Sequence, residues 1–153
     1  MNMDTSIKDF DRKNLIKAAL DNISHAYAPY SHFHVSAAVL MSDGKVYTGV
    51  NVENASYPAG ICAERNAIFH AIAQDKSATL VAVAIVGGPD GKIRDYCAPC
   101  GVCRQVMREF GKPEEIKVIM GKSTEDFKEM TLAELLPMSF GPDFLNEHSS
   151  ITT

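Results

Sequence analysis

Hydrophobic spacing along the chain predicts an α/β domain of three layers, α-β-α, in which helices cover both faces of a mixed sheet. An antiparallel hairpin opens the sheet and strand–helix–strand units follow it, which implies parallel crossovers beside the hairpin. The helical periodicity begins at Leu15, Ile16, Ala19, Leu20 and Ile23, giving an amphipathic helix from Asp11 to His25 with Asp9 and Asp11 as capping candidates. Ala28-Pro29-Tyr30-Ser31 breaks it. The β-prone runs Val35 to Met41 and Val46 to Val52 are joined by Ser42-Asp43-Gly44-Lys45, and an Asp-Gly turn between such runs signals a hairpin. A helix from Cys62 to Ala73 leads to a continuous apolar strand, Leu80 to Val86, closed by Gly87-Gly88-Pro89. A further helix from Cys100 to Phe110 stops at Gly111 and Pro113. Then come a strand from Ile116 to Met120, a short edge strand from Asp126 to Met130, and a helical turn or two from Thr131 to Leu136.

The 153 residues suit one domain, taken here as residues 1–145, followed by a polar and loose tail over 146–153. With 46% hydrophobic and 22% charged residues the chain is globular rather than disordered or fibrous. Lys and Arg total 15 against 19 Asp and Glu, a formal net charge of -4. That balance argues against a nucleic-acid or anionic-membrane surface, which binds through basic groups. The opening MNMDTSIKDF lacks an apolar segment behind a basic start, and Leu80–Val86 falls far short of the ~20 residues that span a bilayer. A cytoplasmic protein is expected, in which Cys62, Cys97, Cys100 and Cys103 remain reduced and suggest metal ligands or a redox pair before disulfides.

Cysteine clusters at two predicted helix starts, Cys62-Ala63-Glu64 and Pro99-Cys100-Gly101-Val102-Cys103. Free N–H groups and the positive dipole end of a helix N-terminus favour a thiolate, the metal-binding form of cysteine. Parallel crossovers bring both starts to one sheet edge, where open α/β sheets bind ligands. Three thiolates fill three of zinc's four tetrahedral positions, and a fourth left to water is the mark of a catalytic site. Bound zinc would bring that water from a pKa of 15.7 to about 7. Glu64 is then placed to move the water's proton, and Arg65 to hydrogen-bond a sulfur and offset the net negative charge. Cys97-x-x-Cys100-x-x-Cys103 with Cys62 also fits a four-thiolate structural zinc or an iron–sulfur cluster in a binding module without catalysis. A redox Cys-x-x-Cys leaves Cys62 without a role. The five histidines share no ligand spacing.

Cys62, Glu64, Pro99, Cys100 and Cys103 match the zinc-deaminase signature of a Cys or His, a Glu, then P-C-x-x-C. The chain resembles the cytidine deaminases, specifically the small homotetrameric kind with three cysteine ligands, from about Leu15 to Phe144. That resemblance implies one Zn²⁺ per chain and hydrolysis of cytidine, and of deoxycytidine, to the uridine nucleoside and ammonia. Tyr30-Ser31-His32-Phe33 resembles the family's Y-S-x-F segment, implying that Phe33 packs on the pyrimidine. Asn51-Val52-Glu53-Asn54 resembles its N-x-E-N segment, implying ribose contacts from Asn51 and Glu53, and Ala63 falls among the substrate-contacting residues. The C-terminal Leu135-Leu136-Pro137-Met138-Ser139-Phe140-Gly141-Pro142 is similar to the segment whose phenylalanine reaches a neighbouring subunit, which puts Phe140, and Tyr57 with it, at sites completed between chains. A deaminase of a cytosine-bearing antibiotic such as blasticidin S shares the motif and is the alternative. The departures are Ser36, where the family usually has glycine, and the extra thiol Cys97.

Overall fold

The computed structural model describes residues 9–145; the proposed tail, 146–153, lies outside them. Asp11 caps the first helix, α1 (Arg12–Asn22), by accepting from the Asn14 N–H at 3.1 Å, and a 3₁₀ turn, Ile23–His25, finishes the predicted helix. The hairpin β1 (Phe33–Met41) and β2 (Val46–Val50) follows, with Gly44 supplying the left-handed φ of +85° that its turn needs. Next come α2 (Ala63–Gln74), β3 (Leu80–Pro89), α3 (Gly101–Glu109), β4 (Lys117–Gly121) and the edge strand β5 (Phe127–Thr131). Two short helices close the described chain. One is α4 (Leu132–Leu135), started by a Thr131/Glu134 capping box, and the other is α5 (Pro142–Leu145), which carries too few periodic residues to be read from sequence.

The strand order is β2-β1-β3-β4-β5. Strand β1 runs antiparallel to both β2 and β3, so these two are parallel to each other and α2 crosses over β1 to join them. Strands β3 and β4 pair in parallel through α3, and β5 returns antiparallel. Both connecting helices therefore start at the edge where β2 and β3 end. Alternation along β1 sends Ala37, Val39 and Met41 into a core under α2 and α3, and Ala38 and Leu40 into a second core under α1. Burial on both faces explains why β3 reads as an unbroken apolar run over 80–86 and why β1 is apolar from Ala37 to Met41.

Two strand ends differ from the sequence reading. Strand β3 does not close at Val86: Gly87, Gly88 and Pro89 continue it, paired with Val35, His34 and Phe33. The glycines serve close approach rather than chain termination, because a Cβ on Gly88 would lie 2.0 Å from the Lys92 carbonyl oxygen. Strand β2 ends at Val50, and Val52 keeps only isolated bridges to Tyr27 and Ile61. No helix among the described residues is long and apolar enough to cross a membrane.

Ser36, on the β1 face shared with Ala38 and Leu40, is fully buried, and its hydroxyl has no hydrogen-bond partner among the described residues. An unpaired buried hydroxyl costs about 1–3 kcal/mol, so Ser36→Ala is expected to stabilise the fold by about 1 kcal/mol. A chemical denaturation midpoint moving to higher denaturant checks this; a lower midpoint contradicts it.

Candidate metal centre and substrate cavity

Cys62 and Cys100 are the N-cap residues of α2 and α3, and Cys103 lies one turn into α3. The Cys100 sulfur accepts from the Cys103 N–H at 3.5 Å, so the cap that starts the helix also orients the sulfur. The three sulfurs lie within 4.8 Å of one another, and Cys62 Sγ stands 3.9 Å from Cys100 Sγ. Zn–S bonds of about 2.3 Å in a tetrahedron put sulfurs about 3.8 Å apart. That spacing fits a tetrahedral metal and is far too long for a disulfide.

Arg65 donates from Nη2 to Cys62 Sγ at 3.4 Å, while its buried Nε has no hydrogen-bond partner among the described residues. A guanidinium so placed balances a cluster with excess negative charge, and its own pKa is held above the ordinary value by the Cys62 hydrogen bond. Hydrogen bonding from Cys103, then from Arg65, draws the Cys62 thiol down to about 5 despite burial. The same sharing pushes Cys103 upward. Soft donors, tetrahedral spacing and a waiting cation together fit zinc.

The cluster floors an open cavity of about 600 Å³. Cys62 and Cys100 line it and Cys103 lies fully buried beneath. Glu64, only 4% exposed, lines the same floor, and burial raises its pKa above the ordinary carboxylate value. Ala63 is buried beside it and also lines the cavity. Cys97 is on the cavity wall but outside the three-sulfur group; its sulfur packs over Gly87, 3.1 Å from where a Cβ would stand. Burial pushes its thiol up to about 11. It is half-buried, although free cysteine as a residue type is usually fully buried.

Asn51 and Glu53 also line the cavity, and both are tied to the chain that leads into β1. Asn51 Nδ2 donates to the Phe33 carbonyl at 2.8 Å and its Oδ1 accepts from the Val35 N–H at 2.9 Å, leaving one amide hydrogen free. Glu53 Oε1 accepts from the Tyr30 and Ser31 N–H groups, each at 3.0 Å, and its Oε2 accepts from the Ser31 hydroxyl. Phe33 itself, 40% exposed at the start of β1, is not on the wall of this cavity. Tyr57 is on its rim, 76% exposed and edge-on to Tyr30 with ring centroids 6.0 Å apart. Phe140 is not among the residues that line the cavity and is stacked on Phe144. The walls contributed by Val35, Ile61 and Ala98 escape sequence reasoning, since nothing local separates a cavity-facing apolar residue from a core one.

The Ser31 hydrogen bonds hold the Glu53 carboxyl below the usual carboxylate range. A group depressed on folding contributes stability above its unfolded pKa and loses it as pH falls through the lower folded value. The amide shifts of Tyr30 and Ser31 should therefore stay constant in an acid titration followed by NMR until pH drops below the ordinary glutamate range. In Ser31→Ala the midpoint should move up toward that range; an unchanged midpoint would remove the assigned cause.

Residues 10–120 match the family described as "Cytidine and deoxycytidylate deaminase zinc-binding region". The chain belongs to that family. It is 44% identical over 137 residues to a cytidine deaminase of Halalkalibacterium halodurans, covering 90% of this chain and 99% of the relative. The crystal structure of cytidine deaminase from Burkholderia pseudomallei superposes with a TM-score of 0.73 at 44% identity, covering 83% of this chain and 97% of that one. That from Mycobacterium tuberculosis gives 0.72 at 38% identity, with 87% and 99% covered. The family match spans both helix starts and all three clustered cysteines.

Proposed function

We propose that the protein hydrolyses cytidine, and deoxycytidine with it, to the uridine nucleoside and ammonia in cytoplasmic pyrimidine salvage, with one zinc ion per chain. The observation that carries this reading is a buried carboxyl, Glu64, beside a three-sulfur cluster on the floor of an open cavity. Cytidine deaminase relatives matched over most of their length support it. Cys62, Cys100 and Cys103 would hold the zinc, which when bound supplies Lewis acidity that lowers the pKa of a water from 15.7 to about 7.

Glu64 accepts a proton from the attacking water and delivers it to the ring nitrogen beside the amino-bearing carbon, while the water oxygen bonds to that carbon. The carboxyl then carries the second water proton to the departing amine, which leaves as ammonia. Burial raises this carboxyl's pKa above the ordinary carboxylate value, which favours holding a proton between the two transfers. The remaining Asn51 hydrogen and Glu53 lone pair hold the ribose hydroxyls, the Ala63 backbone meets the base, and Tyr57, on the rim, closes over the pyrimidine. Such positioning supplies much of the barrier reduction.

We further read the assembly as a homotetramer in which Phe140 completes a neighbour's site. Phe140 and Phe144 stack 5.2 Å apart and are each more than half exposed, and Met138 is fully exposed. Exposed apolar clusters of this kind suit a protein interface. Purified protein should consume cytidine, followed by its ultraviolet absorbance, and a strong zinc chelator should stop the reaction until zinc is restored. Turnover of blasticidin S but not cytidine by the zinc-loaded protein would overturn the substrate assignment.

A further inference from the structure

The segment 135–143 supplies no clustered sulfur and no wall of the metal-site cavity, yet α3 grips it along its length. Arg104 donates from Nη1 to the Leu135 carbonyl at 2.7 Å and from Nε to the Pro99 carbonyl at 2.8 Å. Gln105 Nε2 donates to the Phe140 carbonyl at 2.8 Å. Arg108 donates from Nε to Ser139 Oγ at 2.9 Å and from Nη2 to Asp143 Oδ1 at 2.6 Å, with its side chain only 11% exposed. Its guanidinium lies against the chain at Gly141: a Cβ there would stand 2.3 Å from Arg108 Cζ and 2.4 Å from Nη1. Any side chain there requires the guanidinium to move. The fit holds the Phe140 backbone on both sides while the residue stays 56% exposed, so part-buried and exposed polar contacts present an apolar group to solvent. The helix that does this also carries Cys100 and Cys103.

We infer that Arg108, seated over Gly141, is a positioning residue that sets the angle at which Phe140 is offered to a second copy of this chain; this rests on the reading that Phe140 completes a neighbour's nucleoside site. Arg108 touches neither the sulfurs nor the cavity wall, so it acts on substrate binding and leaves proton transfer alone.

The test compares Phe140→Ala, Gly141→Ala, Arg108→Ala and the Gly141→Ala/Arg108→Ala double variant in KM and kcat for cytidine, with zinc content and melting temperature recorded alongside. Small misplacements of a positioning group can cost up to ~100-fold, so each single variant is expected to raise KM about tenfold while kcat and zinc hold. The double variant should be no worse than Arg108→Ala, since removing the guanidinium removes the clash. Asp143→Ala, at a side chain 65% exposed, loosens the same arginine without crowding and should raise KM less. A raised KM in Phe140→Ala with no change in the Gly141 and Arg108 variants overturns the positioning role alone. An unchanged KM in Phe140→Ala overturns it together with the shared-site reading, and a lower melting temperature at unchanged KM marks Arg108 as purely structural.

Discussion

Glu64→Ala is expected to lower kcat for cytidine by about 10²–10⁴-fold, the range set by a positioned acid–base group, with the zinc content unchanged. The side chain lines the cavity and is buried, whereas none of the three clustered sulfurs belongs to it. Removing it takes the proposed proton carrier away and leaves the three clustered sulfurs in place. Glu64→Gln should behave alike, because an amide of the same shape cannot accept the water's proton. Steady-state rates with zinc measured by mass spectrometry make the comparison. A variant retaining near-wild-type kcat would assign the proton transfer to another group.

Cys103→Ser is expected to lose the metal and, with it, measurable turnover. The Cys103 sulfur is fully buried and completes the triangle with Cys62 and Cys100, and a serine hydroxyl neither ionises near neutrality nor reaches as far. Cys97→Ser should instead retain one zinc per chain and most activity, because that sulfur packs over Gly87 outside the group. The pair of variants separates three ligands from four. Equal metal loss in both would identify a closed four-thiolate site.

Much of this site is legible in sequence because its signals are local. A cysteine at a helix start, Pro99 before Cys100, and a glutamate two residues after Cys62 each act within one turn, and α2 and α3 begin where that pattern places them. Burial on both sheet faces made β3 readable as a continuous apolar run, and the Asp43-Gly44 turn made β1 readable as one arm of a hairpin. What depends on distant partners was not readable. Gly87 and Gly88 look like a terminator but lie in β3, because pairing with His34 and Val35 and the nearby Lys92 backbone decide their role. Phe33 begins a strand and stays off the cavity wall, while the Asn51 side chain spends half of its hydrogen-bonding capacity on the Phe33 and Val35 backbone. The contacts from Arg104, Gln105 and Arg108 to the 135–143 segment join residues about thirty positions apart, which no periodicity announces.

X-ray absorption at the zinc edge of freshly isolated protein addresses the metal's surroundings directly. Three sulfur neighbours at about 2.3 Å and one lighter neighbour at about 2.0 Å are expected, in Cys97→Ser as in the natural chain. Four sulfur neighbours, or no zinc at all, would contradict a metal held by Cys62, Cys100 and Cys103 with one position left for water.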